Sequence, residues 1–161
     1  MNIKFIDTSV MLNLLEVPNR CADAEEVKEQ WKKNLAAKDV LIMPIATIIE
    51  TGNHIAHIAN GNKRRKIAGK FSEYLRKTAE GEAPWQLYDV KNREEELLYL
   101  AENIEDFATR EIGIGDMSII YAYQHYIEET PAIGTIMIWS TDKHLQIYQK
   151  DNVSMVRRRR R

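Results

Sequence analysis

Short apolar runs alternate with longer amphipathic segments along this chain, and this alternation constrains the fold more than any other feature. Apolar runs of four to six residues begin at Ile3, Val40, Trp85 and Gly134. Segments with helical periodicity lie between them. Strands that alternate with helices favour an α/β fold, in which a parallel sheet is covered by helices on both faces. Residues 153–156 are predicted to form a last strand.

Two of the predicted helices carry residues on which later inferences depend. In residues 45–59, five isoleucines including Ile49 are predicted to face the core, and Glu50, His54 and His57 share the opposite side. In residues 92–109, five apolar side chains are predicted to pack inward: Leu97, Leu98, Leu100, Ile104 and Phe107. Residues 113–115 (Gly-Ile-Gly) are predicted to form a loop, with a helix that begins at Asp116.

Composition limits the classes of protein to which the chain can belong. It has 161 residues, 44% of them hydrophobic, which fits one domain over residues 1–156 with a core of its own. No apolar run approaches the roughly 20 residues that a membrane helix needs. A single cysteine, Cys21, excludes an internal disulfide and a cysteine-based zinc cluster. The first residues also lack the apolar stretch of a signal peptide, so a cytoplasmic location is the simplest expectation.

Charge is distributed unevenly along the chain. The formal net charge is −1, but residues 157–161 are five arginines, and the remainder carries 18 basic against 24 acidic residues. Nucleic-acid binding would therefore have to be local. The best candidate is a basic segment, with a solvated helix face as the alternative. Its residues are Lys63, Arg64, Arg65, Lys66 and Lys70. The arginine tail is either a disordered basic arm or an addition made for expression.

Four acidic residues lie at or beyond the ends of predicted strands, or at the start of a helix. They are Asp7, Glu50, Asp116 and Asp142. Because parallel strands place their carboxyl ends at one edge of a sheet, all four can converge there. The plainer interpretation makes the aspartates helix caps and Glu50 a surface residue. Converging carboxylates would bind Mg²⁺ or Mn²⁺, since hard cations prefer oxygen ligands.

Phosphodiester hydrolysis is a reaction that uses such a site. The scissile phosphate is anionic and repels hydroxide, and a divalent cation neutralises it, acidifies a bound water and stabilises the leaving oxygen. His54 and His57 share a helix side with Glu50, so they are candidates to hold a transition metal or to touch a substrate phosphate. Exposed helix histidines without such a role are the commoner case.

Four segments, in order along nearly the whole chain, resemble the motifs of PIN-domain ribonucleases. They are FIDTSVML at residues 5–12, Glu50 after the second strand, GDMSIIYA at residues 115–122 and STDKHL at residues 140–145. The resemblance implies a three-layer α/β/α fold with a central parallel sheet of five strands in the order 3-2-1-4-5. It also implies cleavage of single-stranded RNA with Mg²⁺ or Mn²⁺, for which Asp7, Glu50 and Asp116 bind metal directly and Asp142 completes the site.

The same resemblance extends to neighbouring residues and to partners. Thr8, Ser9 and Thr141 would be polar groups behind the metal ligands. Many relatives are VapC-type toxins inhibited by an antitoxin protein, and such chains often form homodimers. This chain is longer than the compact toxins, mainly through residues 60–90, which departs from the toxin pattern more than from the nuclease chemistry. An arginine of an antitoxin, or the tail of a neighbouring subunit, is a candidate to occupy the acidic pocket.

Two other functions stay open at the level of sequence. A non-catalytic PIN-like module that regulates through contacts with RNA or protein would keep the same fold. A phosphotransferase or phosphatase would use Asp7 as its nucleophile at the end of a strand. Relatives of the haloacid dehalogenases, however, need a second aspartate at the position where this chain has Ser9.

Overall fold

The central strand of the sheet, β1 (Ile3–Ile6), is buried along its whole length. A computed structural model describes residues 1–131 and 134–151 of the chain. The other strands in these residues are β2 (Val40–Pro44), β3 (Gln86–Tyr88), β4 (Thr135–Trp139) and β5 (Gln149–Asp151). They form a five-stranded sheet in the order β3-β2-β1-β4-β5, which confirms the predicted order.

Helices connect the strands and follow the predicted positions closely. They are α1 (Thr8–Leu14), α2 (Ala24–Ala36), α3 (Ile45–Ala56), α4 (Gly61–Glu80), α5 (Arg93–Thr109), α6 (Ile114–Glu129) and α7 (Lys143–Gln146). Helix α4 ends at Gly81, which takes up the left-handed backbone conformation (φ 73°) that glycine adopts most easily. Among the described residues, no helix combines the length and the apolarity that crossing a bilayer requires.

Each face of the sheet has its own hydrophobic core. One core joins Phe5 and Ile42 to helices α5 and α6, and the other joins Ile6 and Leu41 to helices α1 to α4. Side chains of a strand alternate between the two faces, which is why neighbouring residues of β1 belong to different cores. The predicted α/β class is confirmed, and the two cores are compatible with a three-layer α/β/α arrangement.

The sheet is mixed, so the prediction that all five strands are parallel is wrong. Strands β1 to β4 are parallel, but β5 pairs antiparallel with β4. Only residues 140–148 separate these two strands, whereas a parallel return needs a crossover of about a dozen residues or more. The strand predicted at residues 153–156 lies outside the described residues, as does the basic tail at residues 157–161.

Helix α3 turns a different side to the core than its isoleucines predict. Ile49, predicted to face inward, is 57% exposed, whereas Thr47 and Thr51 are fully buried. The Thr47 hydroxyl donates a 2.7 Å hydrogen bond to the carbonyl oxygen of Ile6, the last residue of β1. A buried carbonyl group at the end of a strand needs such a partner. The requirement for this bond thus outweighs the burial of one further isoleucine.

The predictions for α5 and for the start of α6 need correction. Only Leu100 and Phe107 of the five apolar residues in α5 are buried, because a single stripe of this helix faces the core. The three exposed ones are Leu97, Leu98 and Ile104. Residues 113–115 do not form a separate loop, because Ile114 and Gly115 already belong to α6. Asp116 is therefore the third residue of that helix and not its first.

The two buried threonines of α3 provide a matched test of the anchor to β1. Thr47→Val should destabilise the protein by about 1–3 kcal/mol, because it leaves the Ile6 carbonyl without a partner in the interior. Thr51 is equally buried, but its hydroxyl has no hydrogen-bond partner among the described residues, so Thr51→Val should be neutral or stabilising. Urea unfolding measures both variants, and equal costs would show that the Thr47 bond does not anchor the helix.

Candidate active site

Asp7 lies directly after the central strand, at the edge where β1 to β4 have their carboxyl ends. Its side chain is only 2% exposed, and its backbone N–H donates a 3.0 Å hydrogen bond to the carbonyl oxygen of Trp139. Asp7 also caps helix α1, because its Oδ2 accepts a 3.2 Å hydrogen bond from the backbone N–H of Ser9. The capping interpretation of Asp7 therefore holds, and it leaves the second carboxylate oxygen available.

Two serine hydroxyls fix the orientation of the Asp7 carboxylate. Ser9 Oγ and Ser140 Oγ donate to Asp7 Oδ2 over 2.6 Å and 2.7 Å. The same hydroxyl oxygens accept hydrogen bonds from the backbone N–H groups of Thr141 (3.0 Å) and Asp142 (2.9 Å). Strand β4 is thereby connected to the start of α1 through the carboxylate of Asp7.

Ser140 is a site residue that the sequence analysis missed. The resemblance predicts the supporting polar role for Thr8, Ser9 and Thr141. Of these, Ser9 contacts Asp7 with its hydroxyl, whereas Thr141 contributes a backbone N–H that bonds Ser9. A signal was available in the pairing of the central strands. Ile6 pairs with Trp139, so Ser140 follows β4 at the level at which Asp7 follows β1. A small hydroxyl residue at that position is well placed to bond its neighbour.

The other oxygen of Asp7 has no protein partner. Asp7 Oδ1 is buried and makes no hydrogen bond within the described residues, and the same holds for the hydroxyl of Thr8. Burial raises the pKa of Asp7 above its ordinary value, against the lowering effect of the hydrogen bonds from Ser9 and Ser140. Buried polar atoms in native proteins nearly always have a partner, and a bound ion is one reason for an apparent exception.

Glu50 reaches the same region from α3 and lies against the first turn of α6. A Cβ atom placed on Gly115 would lie 2.5 Å from Cδ and 2.7 Å from Cγ of Glu50. Those distances are shorter than any normal contact between carbon atoms. Glycine at position 115 is therefore what leaves room for the Glu50 carboxylate beside Asp116.

Asp116 lies within electrostatic reach of the other three acids. Its pKa is raised from 3.8 to about 7, first by burial and then by the negative charges of Asp7, Asp142 and Glu50, while His144 opposes the shift. These residues come from four separate parts of the chain, and their charges act on one carboxyl group. We call these four residues the acidic pocket, and their role as one binding site stays a prediction.

The four acids do not close on a single point. No three of the described His, Cys, Asp or Glu side chains are close enough to hold one ion. The electrostatic effects on Asp116 act over several ångströms, whereas metal ligands lie about 2.0–2.6 Å from the ion, so the two findings are compatible. Asp142 Oδ1 is occupied as the cap of α7, where it accepts a 2.9 Å hydrogen bond from the backbone N–H of His144.

The donor chemistry nevertheless fits a hard divalent cation. Every candidate ligand offers oxygen, and Asp7 Oδ1 already lacks a partner in a buried position. Glu50 and Asp116 are only partly buried, so their carboxylates are accessible from solvent. A soft or nitrogen-preferring metal would have little reason to bind here.

The basic segment lies on α4, apart from the acidic pocket. All five of its predicted RNA-binding residues are exposed. By helical geometry Lys63, Lys66 and Lys70 share one side of α4, whereas Arg65 lies more than a right angle away from them. Arg64 donates a 2.8 Å hydrogen bond to the carbonyl oxygen of Ile58, so part of its side chain serves the junction between α3 and α4.

Neither the models of known protein families nor the curated protein sequences give a match to this chain. What the site does is therefore inferred from its own residues, their burial and their charges.

The raised pKa of Asp116 predicts an unusual pH dependence of stability. Between pH values of about 4 and 7 the folded protein holds the Asp116 proton more tightly than the unfolded chain does, so this contribution to stability is lost as pH rises. Asp116→Asn removes the titrating group, so the variant does not lose this stability as pH rises. In metal-free buffer above neutral pH the variant should be more stable by on the order of 1 kcal/mol, or about 2–4 °C in Tm, after a discount for partial exposure.

The gain should disappear only well below pH 4, where Asp116 is protonated in the folded and in the unfolded state. Glu105→Gln, which removes a charge from an exposed position on α5, is the control and should show no such gain. Thermal melts of both variants across this pH range measure the effect. A lower Tm for Asp116→Asn above neutral pH would mean that the acids do not repel one another.

Proposed function

We propose that this protein is a divalent-metal-dependent endoribonuclease of the PIN type, which cleaves single-stranded RNA. The proposal is supported above all by Asp116, on whose carboxyl group the charges of Asp7, Glu50 and Asp142 act, and by a buried oxygen of Asp7 that has no hydrogen-bond partner among the described residues. The four motifs that resemble PIN-domain ribonucleases contain the same residues. A three-layer PIN-like fold is proposed on the same grounds.

The metal would be held by Asp7, Glu50 and Asp116, and Asp142 would complete the site. A bound Mg²⁺ or Mn²⁺ would neutralise the scissile phosphate and acidify a water molecule. Ser9 and Ser140 keep Asp7 in one orientation, so Oδ1 is the oxygen presented to the ion. Asp116, with a pKa of about 7 in the metal-free protein, would give up its proton when it acts as a ligand.

Binding of the RNA strand is proposed for the side of α4 that carries Lys63, Lys66 and Lys70. These three lysines are exposed, and they lie on a helix that Phe71 anchors in the core. A row of lysines on a rigid helix neutralises phosphates without regard to base sequence. Arg64 and Arg65, predicted for the same role, are less suited to it because of their placement on the helix.

A protein partner is proposed because of the resemblance and because apolar residues of α5 are exposed. Leu97 and Leu98 of α5 are each more than 60% exposed, and exposed apolar groups of this size often mark protein interfaces. An antitoxin protein or a second copy of the chain in a homodimer would be the expected partner, in the cytoplasm.

A non-catalytic PIN-like module is the alternative, and one observation favours it. The acids do not close on a point within the described residues, and Asp142 is engaged as a cap. Such a module would bind RNA or protein through the same surfaces and would have no need of a metal. Cleavage of RNA separates the two functions directly.

Incubation of the purified protein with single-stranded RNA and Mg²⁺ or Mn²⁺ tests the nuclease. We expect cleavage that EDTA abolishes. Asp7→Asn should reduce the rate by at least about 100-fold, because losing even an outer partner of a metal ligand typically costs 10–100-fold. Glu105→Gln, on an exposed position of α5, should cleave as the wild type does. Equal cleavage by wild type and Asp7→Asn would point to a contaminant and reject the proposal.

A pair of glycine variants separates the site from the fold. Gly115→Ala should displace the Glu50 carboxylate and lower the cleavage rate by about 10-fold or more, while the Tm stays the same or rises. Gly69, in the interior of α4, has open space around it, so Gly69→Ala should stabilise the protein by up to about 1 kcal/mol with cleavage unchanged. Full activity in Gly115→Ala would show that the position of Glu50 does not matter to the reaction.

A further inference from the structure

A cavity of about 350 Å³ lies at the far end of α3 and is lined by basic groups. It is bounded by the turn at residues 17–20, the last turn of α3 and the first turn of α4. Four of its lining residues carry or can carry positive charge: Arg20, His54, His57 and Lys63. None of the described residues that line it is an aspartate or a glutamate.

The basic groups of this cavity are available to a ligand. Neither Arg20 nor Lys63 forms a salt bridge with any of the described residues. His57 Nδ1 lies 2.7 Å from the carbonyl oxygen of Asn53. A carbonyl oxygen only accepts hydrogen bonds, so Nδ1 carries the proton and Nε2 is left for another partner. Within the described part of the chain, Arg20 and Lys63 therefore have no acidic partner, and Nε2 of His57 makes no hydrogen bond.

The turn that carries Arg20 is fixed before any ligand binds. Val17 is 2% exposed, and its backbone N–H donates a 2.9 Å hydrogen bond to the carbonyl oxygen of Leu12. Asn19 has a left-handed backbone (φ 65°), a conformation that asparagine tolerates better than most residues. The backbone N–H of Arg20 then donates a 2.9 Å hydrogen bond to the carbonyl oxygen of Val17. Ordering of this turn adds little to the cost of binding.

The cavity adjoins the acidic pocket along α3. Glu50, His54 and His57 are separated by four and three residues, so they follow one side of the helix at about 5.4 Å per turn. Electrostatics agree with this placement. Burial lowers the pKa of His54, the charge of Arg20 lowers it further, and the charge of Glu50 opposes both. His54 thus lies between a positive cavity and a negative pocket.

We propose that this cavity binds a phosphate group of the RNA strand one or two nucleotides away from the scissile bond, with Arg20, His54, His57 and Lys63 as its ligands. The proposal rests on the proposed nuclease, because it takes the occupant to be the same strand. It assigns the histidines to substrate and not to metal. It also leads the strand from the acids, past Lys63, towards the lysines of α4.

Binding can be measured without cleavage. In the Asp7→Asn background with EDTA, a short fluorescein-labelled single-stranded RNA should bind with about 10-fold lower affinity when Arg20→Ala is added. The slope of log affinity against log salt should fall by about one, as expected for one lost phosphate contact. His57→Gln should weaken binding by a smaller factor. Arg110→Ala, which removes an exposed charge at the end of α5, is the control and should have no effect on affinity.

Inorganic phosphate tests the cavity by itself. Added phosphate should shift the imidazole NMR signals of His54 and His57 in the wild type, and much less in Arg20→Ala. Arg20 is exposed, so its replacement should leave the Tm unchanged, and a melt verifies this. Absence of a phosphate-dependent shift, together with unchanged RNA affinity in Arg20→Ala, would overturn the proposal.

Kinetics separate this proposal from the nuclease itself. In the wild-type background Arg20→Ala should raise KM for RNA about 10-fold and leave kcat nearly unchanged, because the cavity lies away from the reacting atoms. If the wild type cleaves RNA but Arg20→Ala changes neither KM nor affinity, the phosphate site fails and the nuclease stands. If no variant cleaves but Arg20→Ala still weakens RNA and phosphate binding, the nuclease fails and the cavity remains an RNA phosphate site.

Discussion

The burial of Asp7 at the end of the central strand is the constraint on which the rest of the site depends. A carboxylate at that position loses its hydration, and only one of its oxygens is compensated by protein donors. Burial raises the pKa of Asp7 despite these hydrogen bonds, which shows that the charged form is disfavoured there. A fold selected only for stability would place an apolar residue there. The two hydrophobic cores must offset this cost, and a cation would remove much of it.

The surrounding structure presents the acids in a consistent way. Thr47 anchors α3 to the last carbonyl of β1, and Glu50 lies one turn further along that helix. Gly115 leaves space for Glu50 at the start of α6, where Asp116 follows. Ser140 joins the end of β4 to Asp7. Each contact is local and small, but together they direct side chains from distant parts of the sequence into one pocket.

The sequence was sufficient for the parts of the fold that periodicity controls. Strands β1 to β4, the strand order and the long helices follow from apolar runs and helical spacing or from the resemblance, and the structure confirms them. Properties that depend on pairing in space were not accessible in this way. The direction of β5 depends on the length of the connection from β4. The exposure of Ile49 depends on the hydrogen bond made by Thr47. The role of Ser140 depends on the register between β1 and β4.

A titration of the metal-free protein with Mn²⁺, followed by electron paramagnetic resonance, tests the central claim most directly. We expect saturable binding in the wild type above neutral pH, strong loss of that binding in Asp7→Asn, and about 10–100-fold weaker binding in Ser140→Ala. If the Asp7→Asn protein binds Mn²⁺ as the wild type does, or if the wild type does not bind it, the buried oxygen of Asp7 is not a metal ligand. The acidic pocket would then need a different explanation.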